Sequence, residues 1–203
     1  MEENPACERC ELHTTAGKRS VCLKGRGGDI ATVAIFLDAP NELEDRRGRG
    51  CVSDGVEWLM WAFQRMSIPA EQFYIDYIIK CCPKRNRNYG KKAYRQVMTE
   101  ACSYYRFATV AILKPKAIIA MGGKACEAFV GQDRVSAYEG ASWTPLEPEI
   151  REVVPCVWVT YSPAYSLQDP AESVSIFRTL WFAVMSTGLV PKIADIPPFD
   201  YGT

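Results

Sequence analysis

The stretch Ile30-Ala31-Thr32-Val33-Ala34-Ile35-Phe36-Leu37, closed by Asp38-Ala39-Pro40-Asn41, decides the fold. It is a short, mostly apolar run rich in β-branched residues. That pattern fits a strand covered on both faces, as in a parallel sheet. Three later runs share the character: Phe73 to Ile79 (FYIDYII), Ala117 to Met121 (AIIAM) and Val153 to Thr160. Segments of helical periodicity separate them. Gly55 to Met66 carries Val56, Leu59, Met60 and Phe63 on one face. Tyr94 to Leu113, Lys124 to Val130 and Ala171 to Met185 also read as helices. Strands alternating with helices predict an α/β fold, a three-layer α/β/α sandwich around a central, mainly parallel four-stranded sheet. In such sheets functional loops gather at the C-terminal ends of the strands. Those ends are Asp38-Ala39-Pro40-Asn41, Lys80-Cys81, Gly122-Gly123 and Ser162-Pro163-Ala164. They are expected to line one crevice.

The chain has 203 residues, which suits one domain over 1–188 followed by a Pro-rich tail over 189–203. Hydrophobic residues make up 48%, enough for a substantial core. No run of 18 apolar residues occurs, so no membrane span is expected. The acidic, polar start Met1-Glu2-Glu3-Asn4-Pro5 argues against a secretory signal. The expected location is therefore cytoplasmic, in a reducing compartment. Lys plus Arg and Asp plus Glu are both 24. Net charge thus points to no polyanion, and local clustering has to decide.

The nine cysteines are an odd number with no export signal, so thiols or metal ligands are expected rather than disulfides. Cys7 and Cys10 form a Cys-x-x-Cys pair. Cys81 follows the second strand, and Cys102 lies beyond a basic stretch. Two close thiols and two distant ones can complete one four-thiolate metal site. Thiolates suit iron–sulfur clusters and zinc alike. Zinc commonly takes a second close pair, whereas Cys81 and Cys82 are adjacent, so separated contributions fit a cubane cluster better. His13, the single histidine, is an alternative zinc ligand or a surface residue. Cys126 and Cys156 sit among apolar neighbours and read as small buried hydrophobes.

Seven cations, Lys80, Lys84, Arg85, Arg87, Lys91, Lys92 and Arg95, crowd a segment with no acid between Asp76 and Glu100. Asn86, Asn88, Tyr89 and Tyr94 are interleaved. Lys and Arg contact phosphate, while Asn and Tyr hydrogen-bond or stack. Lys84, Arg85, Asn86, Arg87, Lys91 and Lys92 are therefore candidate DNA contacts. The plain alternative is a solvated loop.

Taken together, these features resemble the family 4, iron–sulfur uracil-DNA glycosylases, from about Cys7 to about Met185. That family opens with Cys-x-x-Cys, and its first strand ends in a Gly-Glu-Ala-Pro-Gly type motif. Glu-Asp and a Gly-x-Pro-Phe-Val-Gly segment follow. Here the stretch reads Leu37-Asp38-Ala39-Pro40-Asn41, Glu44-Asp45 and Gly48-Arg49-Gly50-Cys51-Val52-Ser53. The family's Tyr-Ile-Thr-Asn strand and Lys-Cys-x-Pro-Pro-x-Asn-Arg segment become Tyr74-Ile75-Asp76-Tyr77 and Lys80-Cys81-Cys82-Pro83-Lys84-Arg85-Asn86-Arg87. The fourth family cysteine falls on Cys102, after a longer basic interval. The resemblance implies a [4Fe-4S] cluster on Cys7, Cys10, Cys81 and Cys102, and DNA as the partner.

The departures fall on the base pocket. Family members flip uracil out of DNA. A Phe stacks on the base, and Cys51 stands there instead. An Asn reads the uracil edge, and Tyr77 stands there. The His of a His-Pro-Ser motif, which stabilises the departing anion, is replaced in Ser162-Pro163-Ala164. The water-positioning Glu becomes Asp38, one methylene shorter. A lost stacking platform costs roughly 1–3 kcal/mol, and a lost oxyanion donor costs about 10²–10³ in rate.

Two readings follow. In one, the chain keeps fold, cluster and DNA surface without normal uracil excision, as a DNA-binding accessory module in replication or repair. In the other, the pocket is rebuilt for a modified or deaminated base. The chain is then an active DNA N-glycosylase, a hydrolase, with Asp38 positioning water and Tyr77 or Ser162 touching the substrate. A zinc-bound structural protein without a DNA role is a third possibility. The tail either docks onto a protein partner or packs on its own domain.

Overall fold

The computed structural model describes residues 6–15, 22–83 and 90–200. Six strands form one sheet in the order β1-β3-β2-β4-β6-β5. Its centre is β2 (Val33–Leu37), β3 (Phe73–Tyr77), β4 (Ala117–Met121) and β6 (Val157–Thr160), all parallel. Two-residue strands close the edges antiparallel: β1 (Arg26–Gly27) on β3 and β5 (Ser142–Trp143) on β6. The four expected strands are all present, and the sheet is wider than four only by these edges. A two-residue strand has no period to read, which is why the sequence pattern does not announce it.

Every residue of β2, β3 and β4 is buried, because helices cover both faces. Val33, Ile35 and Leu37 face α3 (Asp54–Arg65) and α8 (Pro170–Ser186) in one core. Ala34 and Phe36 face α4 (Lys92–Leu113) and α5 (Gly123–Val130) in the other. Phe63 stacks on Phe73 at 4.3 Å across the first core, and Phe36 meets Phe129 at 5.0 Å in the second. Alternation of side chains along the strands thus builds the three layers. Short helices fill the connections: α1 (Leu12–Thr15), α2 (Glu42–Arg47), α6 (Pro148–Arg151) and α7 (Pro163–Gln168).

Local chemistry starts these helices where the strands stop. Asn41 caps α2, accepting from the Glu44 N–H at 3.0 Å, while Glu44 returns a bond to the Asn41 N–H at 2.9 Å. Asp169 caps α8 ahead of Pro170 in its first turn. Trp58 is buried on α3.

Residues 189–200 carry no regular element and return along α3. The Lys192 and Ala194 N–H groups donate to Met66 and Arg65 carbonyls at 2.9 and 2.8 Å. Trp61 Nε1 donates to the Pro197 carbonyl at 2.9 Å, and the Arg65 guanidinium holds the Ala194 and Ile196 carbonyls. Phe199 packs edge-on against Trp61 at 5.9 Å. The tail is therefore packed on its own domain. Among the described residues no helix is long and apolar enough to cross a membrane.

Candidate base pocket and nucleic-acid interface

Register brings the expected loops to one level. Leu37 is paired with Tyr77 and with Met121, and Met121 with Thr160. The chain beyond each of these residues therefore emerges at the same edge of the sheet. Asp38, Cys51, Tyr77 and Ser162 all belong to this edge.

Tyr77 is 1% exposed, and its ring is among the largest fully buried side chains. Its hydroxyl donates to Glu44 Oε1 at 2.7 Å and accepts from the Cys51 N–H at 2.6 Å. Glu44 Oε1 also accepts from the Val52 N–H at 3.0 Å, while Oε2 completes the α2 cap. One carboxylate thereby ties α2, the 51–52 loop and β3 together. Burial and the neighbouring Cys51 and Glu44 push the Tyr77 phenol far above its ordinary range. It stays protonated and able to donate.

Cys51 is fully buried with φ +57°, the left-handed region, and its thiol donates to the Ile75 carbonyl at 3.6 Å. Burial raises that thiol to about 12, so it is neutral. The preceding Gly50 allows the close approach. A side chain there would begin 2.4 Å from the Lys24 carbonyl and 3.2 Å from the Tyr77 ring. Positions expected to face a base are thus packed against each other. Cavities of about 270, 370, 380 and 590 Å³ open elsewhere among the described residues. None of these four is lined by Asp38, Cys51, Tyr77 or Ser162.

Asp38 faces the start of α5. Its Oδ1 accepts the Lys124 and Ala125 N–H groups at 2.8 and 2.9 Å, filling donors that the first turn leaves open. Burial raises the carboxyl to about 6, against the opposing pull of the Ala125 and Lys124 amides and the Lys124 charge. Gly122, at φ +106°, lets the turn form beside it, since a Cβ would stand 2.7 Å from the Asp38 carboxylate. Ser162 precedes α7, half-buried, and its side chain makes no capping bond there.

The candidate cysteines lie in three parts of the chain: Cys7 and Cys10 before α1, Cys81 after β3, and Cys102 on α4. Burial raises the Cys81 and Cys102 thiols to about 12. Each is raised further by the other's neighbourhood: Cys102 and Cys10 act on Cys81, and Cys10 and Cys7 act on Cys102. None of the four forms a disulfide, and cysteine sulfur is a donor that iron and zinc both take. Among the described residues no group of three or more His, Cys, Asp or Glu side chains is tight enough to hold a single metal ion. His13 Nδ1 lies 2.6 Å from the Cys10 carbonyl. Cys126 is fully buried as expected, whereas Cys156 is only half-buried.

Of the basic candidates, Lys84, Arg85, Asn86 and Arg87 lie outside the described residues. Lys91 and Lys92 are exposed at the start of α4, whose first turn has no acid. Sequence reasoning missed a second group, Arg46, Arg47 and Arg49, exposed where α2 ends beside the Cys51 loop. Three arginines within four residues were a signal, hidden by the balancing acids Glu42, Glu44 and Asp45. It also missed the work of Glu44, which only the folded chain shows as the carboxylate gripping Tyr77.

An α/β sandwich with a parallel four-stranded centre, its candidate loops gathered at the strand C-terminal edge, defines the class. A family model described as the uracil DNA glycosylase superfamily matches residues 25–184. The chain belongs to that superfamily. It is similar to the type-4 uracil-DNA glycosylase of Pyrobaculum aerophilum, 29% identical over 170 residues, 81% of either chain. The type-4 uracil-DNA glycosylase of Thermotoga maritima is 27% identical over 164 residues, 80% of this chain and 79% of that one. That of Sulfurisphaera tokodaii is 27% identical over 177 residues, 83% of this chain and 74% of that one.

Proposed function

We propose that this chain is a DNA-binding member of the superfamily that does not excise uracil in the ordinary way and serves as an accessory module in DNA replication or repair. The observation that carries this reading is the Tyr77 ring, buried in the base position and bonded to Glu44 and Cys51. A flipped uracil needs that volume. Cys51, Tyr77 and Ser162 lack the paired donor and acceptor of an amide, and the single histidine, His13, sits beside Cys10.

Cys7, Cys10, Cys81 and Cys102 are the proposed ligands of a [4Fe-4S] cluster. Reduced thiols arriving from three segments support it, and a cluster accepts a wider sulfur spacing than one zinc ion. These four residues would hold the cluster, which would link the N-terminal segment and α4 to the chain after β3. DNA contact is proposed for Lys84, Arg85, Asn86, Arg87, Lys91 and Lys92. The exposed Arg46, Arg47 and Arg49, at the end of the helix that carries Glu44, are further candidate phosphate contacts.

A second reading, excision of a different base, is favoured by one observation: the Asp38 carboxyl titrates near 6, a range suited to moving a proton at neutral pH. Its Oδ1 is occupied by the α5 amides, which leaves a single oxygen for water. A separate protein partner on the tail gains no support, because the tail's bonds are spent on α3.

Anaerobically purified protein should be brown, carry iron and sulfide, and retard single- or double-stranded DNA with a strong salt dependence. Colourless protein that ignores DNA would overturn the proposal.

A further inference from the structure

A cleft of about 590 Å³ lies along α4, and none of the strand-end loops lines it. One wall is the face of α4 that carries Ser103, Arg106 and Phe107. The other is the end of α5 with Leu146 and Glu147 just before α6. Arg106 is 3% exposed, and its Nη2 donates to Glu147 Oε1. Arginine and carboxylate can close a two-bond fork, and here one arm is made. Arg106 Nε and Nη1 and Glu147 Oε2 are buried with no hydrogen-bond partner among the described residues. The Phe107 and Phe129 rings, with centroids 5.2 and 5.6 Å from the guanidinium carbon, cover the group without filling those bonds. Orphaned polar atoms of this kind point to a missing partner.

The walls also set the charge of that partner. Glu100, Glu127 and Glu147 are matched by Lys92, Arg106 and Lys124, the last bonded to Glu127. An anion meets the acids, and a cation meets the bases, so a neutral molecule fits best. It needs an acceptor for Arg106 Nη1 beside a donor for Glu147 Oε2. A ring lactam, with its carbonyl next to its N–H, supplies both. Phe107 and Leu146 offer apolar surface to a flat ring, and the volume is that of a small-molecule site. Glu147, with 22% of its side chain exposed against 4% for Arg106, is the arm with room to turn toward a ligand. We propose that this cleft binds a lactam nucleobase, free or as a nucleoside, at the Arg106–Glu147 pair. The site depends on neither the cluster nor the DNA surface.

Isothermal titration calorimetry on the full chain tests this with uracil, deoxyuridine and inosine. 3-Methyldeoxyuridine and 1-methylinosine are the probes whose ring N–H is blocked, and inorganic phosphate and guanidinium are the charged controls. At least one unblocked nucleoside should bind, and its methylated form should bind at least about tenfold more weakly. Arg106→Leu/Glu147→Leu removes both charges together, and circular dichroism checks its fold. It should also lose at least about tenfold in nucleoside affinity, with DNA affinity unchanged. Should it fail to fold, Glu147→Gln serves. Arg106 retains the amide oxygen, the NH₂ faces the ring N–H, and the preference for the unblocked nucleoside should vanish. The proposal is overturned if no nucleoside binds, if methylated and unblocked forms bind wild type alike, if the folded double variant binds as wild type does, or if phosphate or guanidinium binds instead.

Discussion

The Tyr77 hydroxyl donates to Glu44 Oε1 at 2.7 Å and accepts from the Cys51 N–H at 2.6 Å, so one phenol links the helix after β2, the following loop and β3. Removing that oxygen leaves a buried amide and one carboxylate contact unfilled. Tyr77→Phe should therefore cost about 1–3 kcal/mol of stability. Urea unfolding followed by tryptophan fluorescence would show the lower midpoint. DNA affinity should hardly move, because the ring is buried rather than offered to a base.

Asp38 supplies a pH dependence. Its folded carboxyl titrates near 6, above the value of about 4 for an unfolded aspartate. The folded state thus binds the proton more tightly. Its contribution is fully present below pH 4 and is lost as pH rises through 6. Asp38→Asn keeps an oxygen for the α5 amides without the charge. The stability of the variant relative to wild type should therefore rise between pH 4 and pH 7. After solvent screening the rise should be on the order of 1–2 kcal/mol. Thermal melts at several pH values measure it, and a flat difference would remove the burial argument.

Gly122 stands at φ +106° and ψ 172°, a region open essentially to glycine alone. A methyl group there would also meet the Asp38 carboxylate at 2.7 Å. Gly122→Ala should destabilise by at least about 1–3 kcal/mol. Pairing it with Asp38→Ala should recover only the steric part, since the backbone strain remains. Calorimetric melting of the three variants separates the two.

Lys91 and Lys92 are exposed at the start of α4. If both contact phosphate, replacing them with serine should flatten the dependence of log affinity on log salt by about 1–2. Adding Lys84, Arg85 and Arg87 to the set should flatten it further. Fluorescence anisotropy on labelled DNA at several salt concentrations reads the slope. An unchanged slope would move the DNA surface elsewhere, with Arg46, Arg47 and Arg49 next to be tested.

Much of this architecture was legible because its signals are local. Ala117 to Met121 is a strand with the bounds read from its apolar run, and α3 starts within a residue of its expected place. The order of helices and strands then brought the four strand ends to one edge. What was not legible depends on long-range geometry. The edge strands are two residues long and follow their neighbours rather than their own pattern. Glu44 reads as one acid of a charged helix, and only the fold sets its carboxylate against Tyr77, 33 residues away. Cys22 is another case: nothing in its spacing joins it to Cys81, yet its amide meets that sulfur across 59 residues. Asp38 could be read equally as a turn residue or a water-positioning group, and only the fold shows its bonds to the α5 amides.

The most direct measurement is release of base from DNA by protein shown, in the same tube, to bind it. Uracil would be placed in single- and double-stranded oligonucleotides, the complex confirmed by anisotropy, and abasic sites revealed by alkali. Binding with no strand scission at uracil is the predicted result. Efficient scission at uracil would contradict it, and would mean that Tyr77 leaves its bonds with Glu44 and Cys51 to admit the base.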